Sequence, residues 1–168
     1  MGNVNYYDLD YFIKTYNVKN FIETGTLYGD GVKYAQEHNF DKIVSIEIEG
    51  DLAESARVKF SDDDRVNIIT GDSAEKIHEA ISMVDGSCIY WLDAHFPGGD
   101  RNDEHRKGYM ETTSVESRVP LLREIQIISK SPYFSESVLL IDDARLFEND
   151  NSNKVISILG YLEKRVST

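Results

Sequence analysis

The sequence predicts an α/β protein built on a doubly wound, mostly parallel sheet. Three observations carry that expectation. Short runs rich in Ile, Val, Phe and Tyr alternate with longer segments of helical apolar spacing, five times in succession. The short runs are too continuously apolar for strands with one face in water, and they suit a parallel sheet covered on both faces. An acid stands at or just beyond the end of every run: Glu23, Glu47, Asp72, Asp93 and the pair Asp142–Asp143. In such sheets ligands bind beyond the carboxyl ends of the strands, where strand order reverses.

The elements follow in order. "YYDLDYFIKTYNV" predicts an N-terminal helix within residues 1–18, packed on the sheet. "NFIET" (20–24) precedes "DGVKYAQEH" (30–38), and "KIVSIEI" (42–48) precedes "GDLAESARVKF" (50–60). "VNIIT" (66–70) precedes "SAEKIHEAISMV" (73–84). "CIYWLDA" (88–94) leads through a long segment to "PLLREIQIISKS" (120–131), and "SVLLID" (137–142) precedes "NKVISILGYLEKR" (153–165). Helical spacing shows in Leu121, Leu122, Ile125 and Ile128, and again in Val155, Ile158, Leu159 and Leu162. Five β/α units in 168 residues predict one domain with a full-sized core.

The formal net charge is −12. A phosphate backbone would be repelled, so a nucleic acid is not the expected partner. Positive charge gathers only over residues 101–123, in Arg101, Arg106, Lys107, Arg118 and Arg123. No apolar stretch is long enough for a membrane span, and the N-terminus lacks the zones of a signal peptide. The lone cysteine, Cys88, lies in an apolar run and reads as a reduced, buried thiol. The expected setting is therefore cytoplasmic, away from membranes.

"ETGTLYGDGV" follows the first strand. Gly25, Gly29 and Gly31 let the backbone turn sharply just before a helix presents its unpaired amides. A dinucleotide fingerprint fails, because Leu27 stands where the second glycine is needed, and no Gly-Lys-Ser/Thr follows for a phosphate loop. Glu47, 24 residues after Glu23, ends the second strand where a carboxylate can accept two hydrogen bonds from a ribose diol. Asp72 can accept from an exocyclic amine, or it can cap the following helix, as Ser73 can.

"FIETGTLYGDGV", "VSIEIE", "NIITGDSAE" and "IYWLDAH" together resemble the successive motifs of class I S-adenosylmethionine-dependent methyltransferases, over roughly residues 18 to 145. The resemblance implies a Rossmann-like methyltransferase fold with S-adenosyl-L-methionine as cofactor. Glu23 and the loop Gly25, Thr26, Leu27, Tyr28 and Gly29 would face its methionine part. Glu47 with Ile48 would hold the ribose, and Asp72 with Ser73 the adenine, with Asp93 completing the cofactor site. Methyltransferases of this fold usually add a C-terminal strand hairpin, which this sequence lacks before it stops at "LEKRVST". The expectation is either an abbreviated sheet, a domain of a longer parent chain, or an edge supplied by a partner such as a second copy in a homodimer.

Asp93 and His95 lie two apart at a strand end, so both can project the same way. The pair can be a metal site, an acid/base pair or a solvated strand end. "WLDAH" also resembles the arginase-like metal-dependent hydrolases, but Pro97 stands where their next Asp is needed. A second resemblance is to the metal-dependent sugar O-methyltransferases similar to macrocin O-methyltransferase. It implies that Asp93, Asp142 and Asp143 hold a divalent cation, Mg²⁺ or Mn²⁺, and that His95 stands where that family uses an Asp as general base. Three carboxylates suit a hard ion, and an imidazole is a sound base near neutral pH. The expected activity is methyl transfer to a hydroxyl of a small molecule, sugar or glycan, with Asp93 and His95 catalytic. The segment 96–119 is long, charged and poor in aliphatics, and reads as an acceptor-binding loop. A hydrolase, or a non-catalytic nucleoside-binding module, are the competing expectations.

Overall fold

The computed structural model describes residues 3–94 and 120–142. The predicted helix at 153–165 and the loop 96–119 lie outside the described residues, as do His95 and Asp143. The architecture is the predicted α/β, Rossmann-like one. Five parallel strands form one sheet in the order β3-β2-β1-β4-β5. They are β1 (Asn20–Thr24), β2 (Lys42–Glu47), β3 (Val66–Thr70), β4 (Cys88–Leu92) and β5 (Val138–Ile141). Helices α1 (Leu9–Tyr16), α2 (Asp30–Gln36), α3 (Gly50–Lys59), α4 (Ser73–Ser82) and α5 (Leu121–Ile128) cover both faces.

Alternation along the strands sorts the core into two layers, because successive strand side chains point to opposite faces. On one face Phe21, Ile43, Ile89 and Trp91 pack with Leu9, Val32, Ala35 and Ala56 of α1, α2 and α3. On the other Ile22, Val44, Ile46, Tyr90 and Leu92 pack with Ile77, Ala80, Leu121, Ile125 and Ile128 of α4 and α5. The central strands β1 and β4 are buried throughout, whereas β3, at the edge, is only partly covered. Each buried aliphatic side chain contributes about 1.5–3 kcal/mol. Cys88 is buried in the second layer, and burial pushes its thiol up to about 11.

The N-terminal helix is shorter than residues 1–18. Asn3 caps a single 3-10 turn, Val4–Tyr6, after which Tyr7 is extended. Asp8 then caps α1 by accepting from the Tyr11 amide, and Asn17 ends it in the left-handed conformation. The competing side-chain caps of Asn3 and Asp8 split one apolar-patterned segment in two. Among the described residues no helix is long and apolar enough to cross a membrane.

Candidate functional site

The order β3-β2-β1-β4-β5 reverses between β1 and β4. That reversal opens the crevice at the carboxyl edge of an α/β sheet. Every predicted acid among the described residues stands on this edge, and each meets a different environment.

Glu23, one residue before the end of β1, lies on the α2 face and is 2% exposed. Ser45 Oγ of β2 donates to its Oε2 at 2.6 Å, and Ser45 shares a second 2.6 Å hydrogen bond with Thr26 Oγ1. Burial raises the Glu23 pKa to about 8, with the Ser45 hydrogen bond opposing and Glu47 and Asp30 adding like charge. A Cβ on Gly31 would overlap Glu23 Oε1, so a larger residue there would have to displace that carboxyl. The carboxyl thus lies against the first turn of α2.

Glu47 ends β2 and is 5% exposed. Its two oxygens are both engaged by backbone: Leu27 N donates to Oε2 at 2.7 Å and Glu49 N to Oε1 at 2.9 Å. Leu27 adopts φ 47°, a left-handed conformation that costs a non-glycine residue about 1–2 kcal/mol. The charged hydrogen bond from Glu47 offsets that cost and fixes the loop. A carboxylate has about four acceptor positions, so Glu47 keeps capacity for a ligand beyond its two amides. Ile48, next along, is 46% exposed.

The loop itself is tied to both neighbours. Gly25 N and Thr26 N donate to Ile46 O, and Gly29 N donates back to Thr26 O. Gly25 has φ 90°, and a Cβ there would come within 2.9 Å of Asp93 O. Only glycine lets the loop lie so close to the end of β4. Tyr28 is exposed, and its carbonyl accepts from Lys59 Nζ at 2.7 Å. Asp72 caps α4, accepting from Ala74 N at 2.8 Å. Ser73, the first residue of α4, is buried.

Register brings the remaining pair together. Leu92 lies opposite Ile141, so Asp93 and Asp142 come next on adjacent strands, and Asp142 N donates to Leu92 O at 3.1 Å. Burial raises the Asp93 pKa to about 9, reinforced by a hydrogen bond with Asp142 and by the charges of Asp142 and Glu23. Two carboxyls that hydrogen-bond each other share a proton, since both cannot ionise cheaply at that distance. The same oxygens are hard donors that a divalent cation would accept. Among the described residues no group of three or more His, Cys, Asp or Glu is placed to hold a metal. The two-acid set therefore fits a cation in chemistry, with the predicted third acid, Asp143, beyond the described residues.

Sequence reasoning missed two features. Ser45 links Glu23 to Thr26, and its signal was a hydroxyl in the middle of the apolar run "KIVSIE". Glu124 is the other, a carboxyl 1% exposed on the sheet-facing side of α5. Its signal was a Glu within the stripe Leu121, Ile125, Ile128.

No protein-family model and no curated protein matches the sequence. Among solved structures, the chain is similar to a "putative caffeoyl-CoA O-methyltransferase" from Staphylococcus aureus, with a TM-score of 0.50 and 17% identity, over 92% of this chain and 69% of that one. It is also similar to a "putative methyltransferase" from Bacillus halodurans, at a TM-score of 0.41 and 14% identity, over 94% of this chain and 58% of that one. At 17% identity the first likeness is one of fold: the α/β, Rossmann-like sheet described above.

Proposed function

We propose that the protein is an S-adenosylmethionine-dependent O-methyltransferase acting on a hydroxyl of a small molecule or sugar, in the cytoplasm. The observation that carries the reading is Glu47: a buried side chain at the end of β2 whose carboxyl holds the left-handed glycine-loop residue Leu27 and has acceptor positions beyond its two backbone amides. A carboxyl in that place suits a ribose diol, beside a loop that turns at the β1–β4 switch point. The name of the Staphylococcus aureus neighbour agrees with methyl transfer to an oxygen acceptor.

Bound S-adenosylmethionine would supply an activated sulfonium methyl. The chain's part is positioning. Glu23, through Ser45 and Thr26, and Glu47, through Leu27, hold the loop in one shape before any ligand arrives. Asp72 leaves one carboxyl oxygen beyond its cap contact for an adenine amine. Holding the acceptor in line removes most of the entropic barrier to transfer. A divalent cation such as Mg²⁺ or Mn²⁺ would be held by Asp93 and Asp142 with Asp143, and would supply positive charge beside the acceptor hydroxyl. On the sequence reading His95 would take the acceptor proton and segment 96–119 would bind the acceptor, both outside the described residues.

The test is a calorimetric titration with S-adenosylhomocysteine, with and without Mg²⁺, followed by transfer from labelled S-adenosylmethionine to a panel of sugar, catechol and phenolic hydroxyls. Micromolar binding with label transfer to one class is expected. No binding of S-adenosylhomocysteine under either condition would overturn the reading and favour the hydrolase.

A further inference from the structure

Lys59 closes α3, where a lysine ordinarily serves the carbonyl end of its own helix. Its side chain goes elsewhere. Lys59 Nζ donates to Tyr28 O, 31 residues away in the glycine loop, at 2.7 Å. Helical side chains lean toward the N-terminus of their helix, so Lys59 reaches back from the last turn of α3 toward the carboxyl edge. Phe60, the C-cap of α3, is 6% exposed, and Lys59 Nζ stands 5.0 Å from the centroid of its ring. An ammonium in that place gains from the ring face as well. Gly29 has φ 76°, and a Cβ on it would fall 2.6 Å from Phe60 Cε2 and 3.7 Å from Lys59 Nζ. The outer arm of the loop therefore rests on an aromatic floor with a basic group at its side.

The inner arm is held by an acid. Leu27 N donates to Glu47 Oε2 at 2.7 Å, so the two contacts fall on the two ends of one dipeptide. A carboxyl meets its N–H and a basic group its C=O, and each suits the end of the backbone dipole that it faces. That dipeptide is where the loop carries its strain, because Leu27 has φ 47°. We propose that Lys59, seated on Phe60, is a positioning residue that grips the Leu27–Tyr28 segment from the end opposite Glu47. It thereby fixes the shape that the loop presents to the crevice. The grip on the loop stands on these contacts alone; its effect on cofactor affinity rests on the methyltransferase reading. Arg57, in the same turn of α3, serves a different element: its guanidinium donates to Ile68 O and Thr70 Oγ1 of β3 and to Glu54.

The experiment compares wild type with Lys59→Met, which keeps the stem and removes the donor, and with Lys59→Arg, which keeps a cationic donor. Arg57→Met is the control, since it removes a basic group from the same turn of α3. Amide hydrogen exchange of the ligand-free proteins and calorimetric titration with S-adenosylhomocysteine are the two readouts. The Leu27 and Gly29 amides donate to Glu47 and to Thr26 O, and so report the shape of the loop. Lys59→Met is expected to speed their exchange and to weaken affinity, each about threefold, the scale of one hydrogen bond lost. Lys59→Arg is expected to recover most of both, and Arg57→Met to leave the two amides as in wild type. Faster exchange in Lys59→Met, in a protein that never binds S-adenosylhomocysteine, would sink the cofactor reading and leave the grip standing. Unchanged exchange at both amides in Lys59→Met would overturn the proposal whatever the affinity. Equal acceleration in Arg57→Met would overturn it too, because net charge and not the Tyr28 contact would then set the loop.

Discussion

The two halves of the carboxyl edge solve the same electrostatic problem in opposite ways. Over β1 to β3, each acid meets donors from its own chain: Ser45 for Glu23, the Leu27 and Glu49 amides for Glu47, the Ala74 amide for Asp72. Over β4 and β5, Asp93 and Asp142 meet each other. The first half is a finished scaffold whose acids shape the loops whether or not a ligand is present. The second half carries a like-charge pair held together by a proton, which a cation can replace. Loss of an acid in the first half should therefore appear as weaker binding or stability, and in the second half as lost chemistry.

The sharpest break in that comparison is Asp93→Ala. It should lower methyl transfer by about 10²- to 10⁴-fold, the range for groups acting on the reacting atoms. Affinity for S-adenosylhomocysteine should change by less than about tenfold, since the scaffold half stays whole. Wild type should also gain melting temperature with Mg²⁺ or Mn²⁺, and Asp93→Ala should not. Equal losses of turnover and binding would mean that the two halves are one unit.

Next in size is Glu47→Ala. Removing a charged acceptor of two backbone amides should weaken S-adenosylhomocysteine binding by about 1.5–3 kcal/mol, measured by calorimetry. Because Leu27 then keeps its left-handed φ without support, the loop amides should also exchange faster in the free protein. An unchanged affinity would remove Glu47 from the cofactor site, and unchanged loop exchange would show that the glycines alone set its shape.

Stability against pH tests a buried acid of each half without any ligand. Glu23 has a folded pKa of about 8 against an ordinary value of 4.5, so the folded state binds its proton more tightly. Its contribution is present in full below about 4.5 and is lost as pH rises through about 8. Asp93, at about 9, acts in the same sense at slightly higher pH. Asp63 is the counterexample: Arg65 holds its carboxyl far below the usual range, and that contribution is lost only in acid. Melting temperature should fall from pH 6 to 9, and Glu23→Gln should flatten the earlier part of the fall. A flat profile in wild type would mean that these acids are ionised at neutral pH.

Most of the fold was legible in the sequence because continuous apolar runs and helical stripes are direct imprints of a sheet covered on both faces. The strands at 20–24 and 66–70 match their observed limits, and the others end within a residue or two. The acids at the strand ends were legible for the same reason, as polar residues abruptly closing apolar runs. What stayed hidden depends on register. That Leu92 pairs with Ile141, and so Asp93 with Asp142, is a property of two strands far apart in sequence. That Glu47 serves the Leu27 amide is likewise invisible along the chain. Glu124 was hidden differently: on an exposed-looking amphipathic helix one Glu draws no notice, until its place in the apolar stripe is counted.

The smallest expected effect tests the place where scaffold and ligand roles overlap. Asp72 caps α4 through one oxygen, and its other oxygen is the one proposed for the adenine amine. Asn caps a helix as well as Asp does, whereas Ala does not. Asp72→Ala should therefore cost about 1 kcal/mol of folding stability, seen in urea melts, and weaken S-adenosylhomocysteine binding at the same time. Asp72→Asn should leave stability within about 0.5 kcal/mol of wild type, because the cap survives. It should still weaken binding about threefold, because a neutral amide oxygen accepts from an amine less strongly than a carboxylate does. If Asp72→Asn matches wild type in both measurements, Asp72 belongs to the scaffold alone, and the amine must be met elsewhere along the edge of β3.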